Sequence, residues 1–579
     1  MNKLIMTVSA GTLALSALSA SKWVNPNGGS WDDPANWEGG VVPSAADVTI
    51  TNLTSGAAAS VTSAVSTVKT VTIYKDNKLR IVPGGSLTVN GSVNDAAQST
   101  VLWFNNGKLE MTGGSLSIPN SSFYCAGTVG GATISGDATV SAKTLALRSG
   151  SMTFSGTSKL TVGSSSDCAL YGAVAYEVNA AKLTFSDSAS LDASMGSYVT
   201  MGNYYWPSQN NKCRLNIAGG THLFPYTVRL GYANGESTVN MTGGSVTGGH
   251  YSFSIGSYDS TKLSTKTQNP KATFNLSGGS LYVDCKYATY GEAQDRITGL
   301  VVGNGSQVGS YFSTANYSCT GILNISGATT RLDVGPAFVA VGIGRATGTV
   351  IQNGGAVTTG NSMTTEAWRR KEPMMIGQGG GTGTYVISNG TLTVSQELYV
   401  GGVKTNVFVR SKKITGYPSD AETAGKAVGL LDIEGGSVNM PYGAVNCVVG
   451  ADGAGTLRIA GSGSFTTEGL LVLSNNVAST LQIALNPDGA PTVRARGVRI
   501  APGAKLEVDV SKYAGDERWI RLLQSASTAL ALDRQGAFAP EDITIIGNNG
   551  DYDVVQSRPG DTTKSVWIHR KKGLSVFIR

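Results

Sequence analysis

Seven carboxylates are spread through the middle of this chain: Asp259, Asp284, Glu292, Asp295, Asp333, Glu366 and Glu372. Cleaving a sugar polymer needs two carboxylates flanking the bond, or calcium with a base for uronate elimination. Asp284, Lys286, Glu292, Asp295 and Arg296 form the densest cluster. A solvated loop explains that cluster better, so no catalytic residue is assigned. Histidine is limited to His222, His250 and His569. None has a second His or a Cys at ligand spacing, and no Gly-x-Ser-x-Gly turn occurs, which argues against a zinc site or a Ser/His hydrolase. His222 and His250 read as decorations of outer faces.

Aromatic residues are a better guide to function. Tyr204-Tyr205-Trp206, His250-Tyr251-Ser-Phe253 with Tyr258, Tyr287 with Tyr290, and Tyr311-Phe312 with Tyr317 all lie in polar, loop-like stretches. Exposed Tyr and Trp on loops suit stacking on sugar rings or contact with a protein. The candidate binding residues are therefore Tyr204, Tyr205, Trp206, Tyr251, Tyr258, Tyr287, Tyr290 and Tyr311. The partners expected are a polysaccharide or a surface protein. No cofactor is implied. Asp32, Asp33 and Asp47 could be imagined as calcium ligands, but they read better as Asx-turns within a cap.

The six cysteines, at 125, 168, 213, 285, 319 and 447, show no CxxC spacing. In an exported chain Cys285 and Cys319 are the first pair to consider for a disulfide, since they lie about one repeat apart. The alternative is that all six are small core residues. Gly clusters such as Gly303-Asn-Gly305, Gly342-Ile-Gly344 and Gly377-Gln-Gly379 imitate phosphate loops, but each leads into another strand pattern rather than a helix.

These residues are positioned by a repeated phrase. Val228-Arg-Leu-Gly231 is followed by Val239-Asn-Met-Thr-Gly-Gly-Ser-Val246, and Phe253-Ser-Ile-Gly256 by Phe274-Asn-Leu-Ser-Gly-Gly-Ser-Leu281. Copies recur through Val341-Gly342, Ile376-Gly377, Val400-Gly401 and Val449-Gly450. Successive glycines of the first motif are separated by 25, 47, 39, 35, 24 and 49 residues. The short spacing fits three short strands per turn of a solenoid, and the long ones imply inserted loops. Gly makes up 76 of 579 residues and charged residues 14%, against ~25% in typical domains, which suits close turns and neutral strand faces. A net charge of +6 without a dense basic stripe gives no support to nucleic-acid binding.

The expected fold is all-β, a right-handed parallel β-helix. Residues 1–20 read as a signal peptide, 21–50 as a Trp-rich N-terminal cap, 51–510 as the helix with loops between about 200 and 430, and 511–579 as a β-rich C-terminal cap. In that cap, Ser565–His569 is expected to meet Leu574–Ile578 across a Lys-Gly turn. With ~13 to 18 rungs, the rod is expected to be on the order of 60–90 Å long. No later stretch reads as a transmembrane segment, so a secreted, extracellular or outer-surface location is expected. Oligomeric state is not legible.

The phrase "apolar-Gly…Leu-x-Ile-x-Gly-Gly-Ser-Leu-x-Val" resembles the autotransporter-associated β-strand repeats of bacterial surface and secreted proteins. More broadly it resembles the pectin-lyase-like β-helix superfamily. The resemblance spans roughly residues 23–510 and implies fold more than function. No translocator barrel follows, and no Asn-Thr-Asp or Gly-His-Gly run of pectin-degrading relatives is matched. The resemblance thus implies a non-enzymatic adhesion, matrix or glycan-binding role. The alternatives are a polysaccharide lyase or glycosidase on the looped face, and a self-assembling structural protein.

Overall fold

The computed structural model describes residues 20–571, apart from 92–99, 127–129, 148–149, 164–169, 173–180, 197, 203–211, 233–234, 251, 258–268, 285–298, 306–317, 336, 361–372, 404–407, 410–411, 414–425, 475–477, 526–535, 548, 557, 559 and 561–564. Each copy of the repeated phrase folds into one level of a parallel β-helix. In a typical level, Glu236–Met241 belongs to sheet I, Ser245–Gly248 to sheet II and Ser252–Ser257 to sheet III. Each strand pairs in parallel with its counterpart one level on, at Lys271–Leu276, Ser280–Val283 and Gly299–Asn304.

The strands form because alternate positions are apolar and point inward. Leu215, Val239, Phe274, Leu323 and Val350 stack in register inside sheet I, each fully buried. No single level can bury these side chains alone, so stability comes from contacts between neighbouring levels. The Gly-Gly pair makes the corner between sheets I and II. Gly244 and Gly279 there have φ of +75° and +78°, a left-handed conformation that side chains disfavour.

Sheet I can be followed in register along one outward column: Ser30, Ser60, Arg80, Glu110, Thr133, Thr153, Thr184, Asn216, Asn240, Asn275, Asn324, Ile351, Val386, Asp432, Arg458, Gln482, Glu507 and Thr544. These eighteen levels give a rod about 80 Å long at ~4.8 Å per level. The parallel ladder therefore runs through both segments read as caps. Gly29–Ser30 already pairs with Ala59–Val61, and Ile543–Ile546 still pairs with Lys505–Asp509. A sequence boundary at 50 or 510 misses this because terminal strands lack the Gly-Gly signature while keeping the ladder.

At the N-terminal end Trp23, Trp31 and Trp37 are buried and meet edge to face, at centroid distances of 4.9 and 4.8 Å. Trp37 Nε1 donates to the Trp31 carbonyl at 2.7 Å. At the other end the pairing turns antiparallel. Val566–Arg570 lies between Trp519–Ser525 and Tyr552–Val555. Both of its edges are thus occupied; Leu574–Ile578, expected to meet it across a Lys-Gly turn, lies outside the described residues. Antiparallel pairing suits a closure, because it interrupts the template that another parallel chain would extend.

Candidate functional site

All eight aromatic candidates (Tyr204, Tyr205, Trp206, Tyr251, Tyr258, Tyr287, Tyr290 and Tyr311) lie outside the described residues, as do Lys286, Glu292, Asp295 and Arg296. The flanking strands nevertheless show where their segments leave the helix. Segments 203–211, 258–268 and 306–317 leave between sheets III and I. Residue 251 and segments 285–298 and 361–372 leave between sheets II and III. The inserted loops thus depart from two corners rather than one, and both corners border sheet III. The corner between sheets I and II keeps its tight Gly-Gly turn.

Sheet III differs accordingly from its neighbours. Gly299–Asn304 and Phe338–Ile343 are buried at every position, on both faces. On the outward side Val301, Phe338, Ala340, Ile343, Met375 and Val403 form a second apolar cluster, with Tyr399 against it. Sheets I and II instead keep one face toward solvent. On sheet I, Asn216 Nδ2 donates to Thr184 Oγ1 (3.2 Å), Asn240 to Asn216 Oδ1 (3.0 Å), Asn275 to Asn240 (2.8 Å) and Asn324 to Asn275 (2.7 Å). On sheet II the outward columns are rich in hydroxyls: Thr221, Ser245 and Ser280 share one, which passes through Arg331 and Ala356 before Thr391, Ser437, Ser464 and Thr492.

Asp284 is the described member of the acidic cluster. Its carboxylate lies 3.1 Å from His250 Nδ1 with a side-chain exposure of only 1%. A general acid must reach the glycosidic oxygen, so this buried, His-paired carboxylate braces the corner where the 285–298 segment begins. His250, at 18% exposure, is part of that brace and not a free decoration. Asp333, on the outer face of sheet II, has the Arg331 guanidinium 3.8 Å away.

His222 also departs from its expected place. It is fully buried in the interior of sheet II, in register with Leu191 and Val246 and 4.9 Å from the Phe185 ring. Its Nε2 contacts the Gly219 carbonyl at 2.8 Å, while its Nδ1 is buried without a hydrogen-bond partner among the described residues. Burial, partly opposed by the Gly219 contact, holds its pKa below the usual value. Because the folded pKa is depressed for a base, stability is full above the unfolded value of ~6.5 and falls as pH drops below it. His222→Leu is expected to keep its stability at pH 5 better than the parent does. Urea midpoints at pH 5, 6 and 7 test this, and parallel pH curves for the two proteins would contradict it.

Cys213, Cys319 and Cys447 are buried free thiols. Cys319 Sγ lies 3.7 Å from the Gly256 carbonyl oxygen, and Cys285, considered above as its partner, lies outside the described residues. Burial pushes the thiols of Cys213 and Cys447 up to about 12 and raises that of Cys319 as well. Thiols so hard to ionise are packing residues rather than nucleophiles.

The three N-terminal aspartates are each engaged locally. Asp33 Oδ1 accepts from the Ala35 amide, Asp47 from Thr70 Oγ1 and Asp32 from Ser63 Oγ. Among the described residues no group of three or more His, Cys, Asp or Glu is arranged to hold a metal ion. No described helix is long and apolar enough to cross a membrane. The Gly clusters resembling phosphate loops turn the chain from sheet III back into sheet I strands such as Thr347–Thr359 and Thr382–Val394.

Sequence reading did not single out Tyr198, Tyr226 and Tyr282, which the structure brings to the corner between sheets II and III. Aligning the repeats would have found Tyr282, because it occupies the outward position held by Thr247 one level back. No protein-family model matches the chain, and neither a curated protein nor a solved structure matches it.

Proposed function

We propose that this chain is an exported or cell-surface β-helix protein with a non-enzymatic role in adhesion, matrix building or glycan binding, in keeping with its resemblance to autotransporter-associated repeats. The observation supporting it is a pair of hydrogen-bonding stretches on neighbouring faces. Sheet I offers an amide ladder over the four levels from Asn216 to Asn324, and sheet II a hydroxyl column over Thr221, Ser245 and Ser280, both repeating every ~4.8 Å along the rod. A polymer rich in hydroxyl groups and free of charge matches such faces better than a nucleic acid, which calls for a basic stripe.

Incubating the purified chain with a panel of polysaccharides, with and without calcium, tests the reading. Sedimentation of polymer and new sugar ends are read from the same tubes. Co-sedimentation without new ends is the expected result. New reducing or unsaturated ends would instead establish a lyase or glycosidase, and neither signal would leave protein adhesion or self-assembly.

A further inference from the structure

Among the ten exposed large apolar side chains of the described residues, three lie on two successive levels at or beside one corner. Met195 is 64% exposed, Leu223 37% and Tyr226 37%, and all lie at the transition from sheet II to sheet III. Tyr282, half-buried, stands two levels on from Leu223 in the same outward column, with Thr247 between them. Tyr226 packs edge-on against His250 at 5.8 Å, and the Arg229 guanidinium lies 5.2 Å from the Tyr198 ring centre. Contiguous exposed apolar side chains on an otherwise polar protein mark an interaction site.

A second, independent feature adjoins them. The outward column Thr221, Ser245, Ser280 runs along the same three levels of sheet II, with Ser245 Oγ 3.4 Å from Thr221 Oγ1. The ionisable groups nearby are engaged within the protein. Asp284 is buried against His250, Asp192 accepts from Ser194 Oγ at 2.7 Å, Arg229 lies over Tyr198, and Arg331 and Asp333, next in register after Ser280 and Tyr282, lie 3.8 Å from each other. The strip therefore offers ring faces and hydroxyls without a committed charge.

We propose that this strip, with Tyr226 and Tyr282 as its stacking platforms and Thr221, Ser245, Thr247 and Ser280 as its hydrogen-bonding groups, binds a neutral polysaccharide chain laid along the helix axis. This rests on the glycan-binding reading above. A pyranose ring has an apolar face and a rim of hydroxyls, the same two chemistries that lie side by side here. Leu223 and Tyr282 stand roughly 10 Å apart along the axis, a span that a short run of linked sugars bridges. An acidic polymer would need uncommitted cations, and the guanidiniums at the strip, Arg229 and Arg331, already face Tyr198 and Asp333.

The test is retardation of the full chain in native gels cast with hydroxyethyl cellulose, xyloglucan, galactomannan, a soluble β-1,3-glucan or, as the charged comparison, polygalacturonate. The parent is expected to be retarded by at least one neutral polymer. Tyr226→Ala combined with Tyr282→Ala should weaken binding at least ~10-fold, while Tyr226→Phe with Tyr282→Phe, which keeps the ring faces, should stay within about 2-fold. Thermal midpoints of the variants should match the parent. If the double alanine variant is retarded like the parent, the site lies elsewhere and glycan binding stands. Retardation by polygalacturonate alone overturns the neutral ligand, and no retardation by any polymer overturns both readings.

Discussion

Replacing Gly377 by alanine is expected to destabilise the helix by at least about 3 kcal/mol, although only a methyl group is added. Gly377 closes the sheet III strand Met374–Gln378 with a φ of +74°. A residue with a side chain held there costs on the order of 1–2 kcal/mol in backbone strain. A Cβ would also sit 2.1 Å from the Val428 carbonyl oxygen and 2.5 Å from its carbon, both backbone atoms of the sheet I strand Val428–Ile433, which stacks on the Thr382–Val394 strand that follows Gly377. Neither can swing away as a side chain can, so the two levels must part, and overpacking of this kind costs a further ~1–3 kcal/mol. The same close approach recurs at Gly342, whose Cβ would meet the Thr382 carbonyl at 2.0 Å. The glycine of the repeated phrase is therefore a packing requirement between levels as well as a turn residue. Gly550, with open space around its Cβ position, is the control, and Gly550→Ala should stay within about 0.5 kcal/mol. Urea denaturation of the two variants beside the parent measures the difference. A Gly377→Ala protein that unfolds at the parent's midpoint would refute this account. Limited proteolysis near residues 377–383 would show whether one level opens before the rest.

The second large effect is expected at the N-terminal end. Trp37→Ala should cost about 3–5 kcal/mol, the usual range for a fully buried Trp. The side chain touches Trp23 and Trp31 edge to face and donates its indole N–H to the Trp31 carbonyl. Its loss removes all of these contacts from a level that, among the described residues, has a neighbour on one side only. Trp37→Phe retains a ring and forfeits the indole hydrogen bond, so it should lose less, roughly 1–2 kcal/mol. In a solenoid each level is stabilised chiefly by its neighbours, so the damage should begin locally. Hydrogen exchange should rise first in Asp47–Ile50 and Thr70–Tyr74, with the ladder beyond Asn216 protected as before. Uniform protection along the whole rod in the alanine variant would show that the Trp cluster is no closure.

The interior of the fold was legible in detail. Leu-x-Ile alternation and the Gly-Gly punctuation report on neighbours two to eight residues apart, and each level is assembled from such local units. Even His222 carried a readable signal. Gly219-Gly-Thr-His-Leu223 aligns with Gly243-Gly-Ser-Val-Thr247, which places the imidazole at an inward position. Viewed alone, its polarity pointed outward. The candidate site was less legible. Asp284 read as part of a charged loop because its partner His250 is 34 positions earlier, and only the stacking of one level on the next brings them to 3.1 Å.

The amino-acid sequence by itself determined the three-strand level, the parallel stacking and the alternation of apolar inward with polar outward positions, because period-2 alternation and glycine corners are properties of adjacent residues. Tertiary structure alone decided which corner each insertion leaves from, that both such corners border sheet III, and that the ladder runs on from Gly29 to Ile546. It also gathered Met195, Leu223, Tyr226 and Tyr282 along one strip. The physical reason is the coil itself: each level returns the chain to the same corner after a variable number of residues. Proximity along the rod is therefore set by level and register, and the distance between residues in the sequence carries no trace of it.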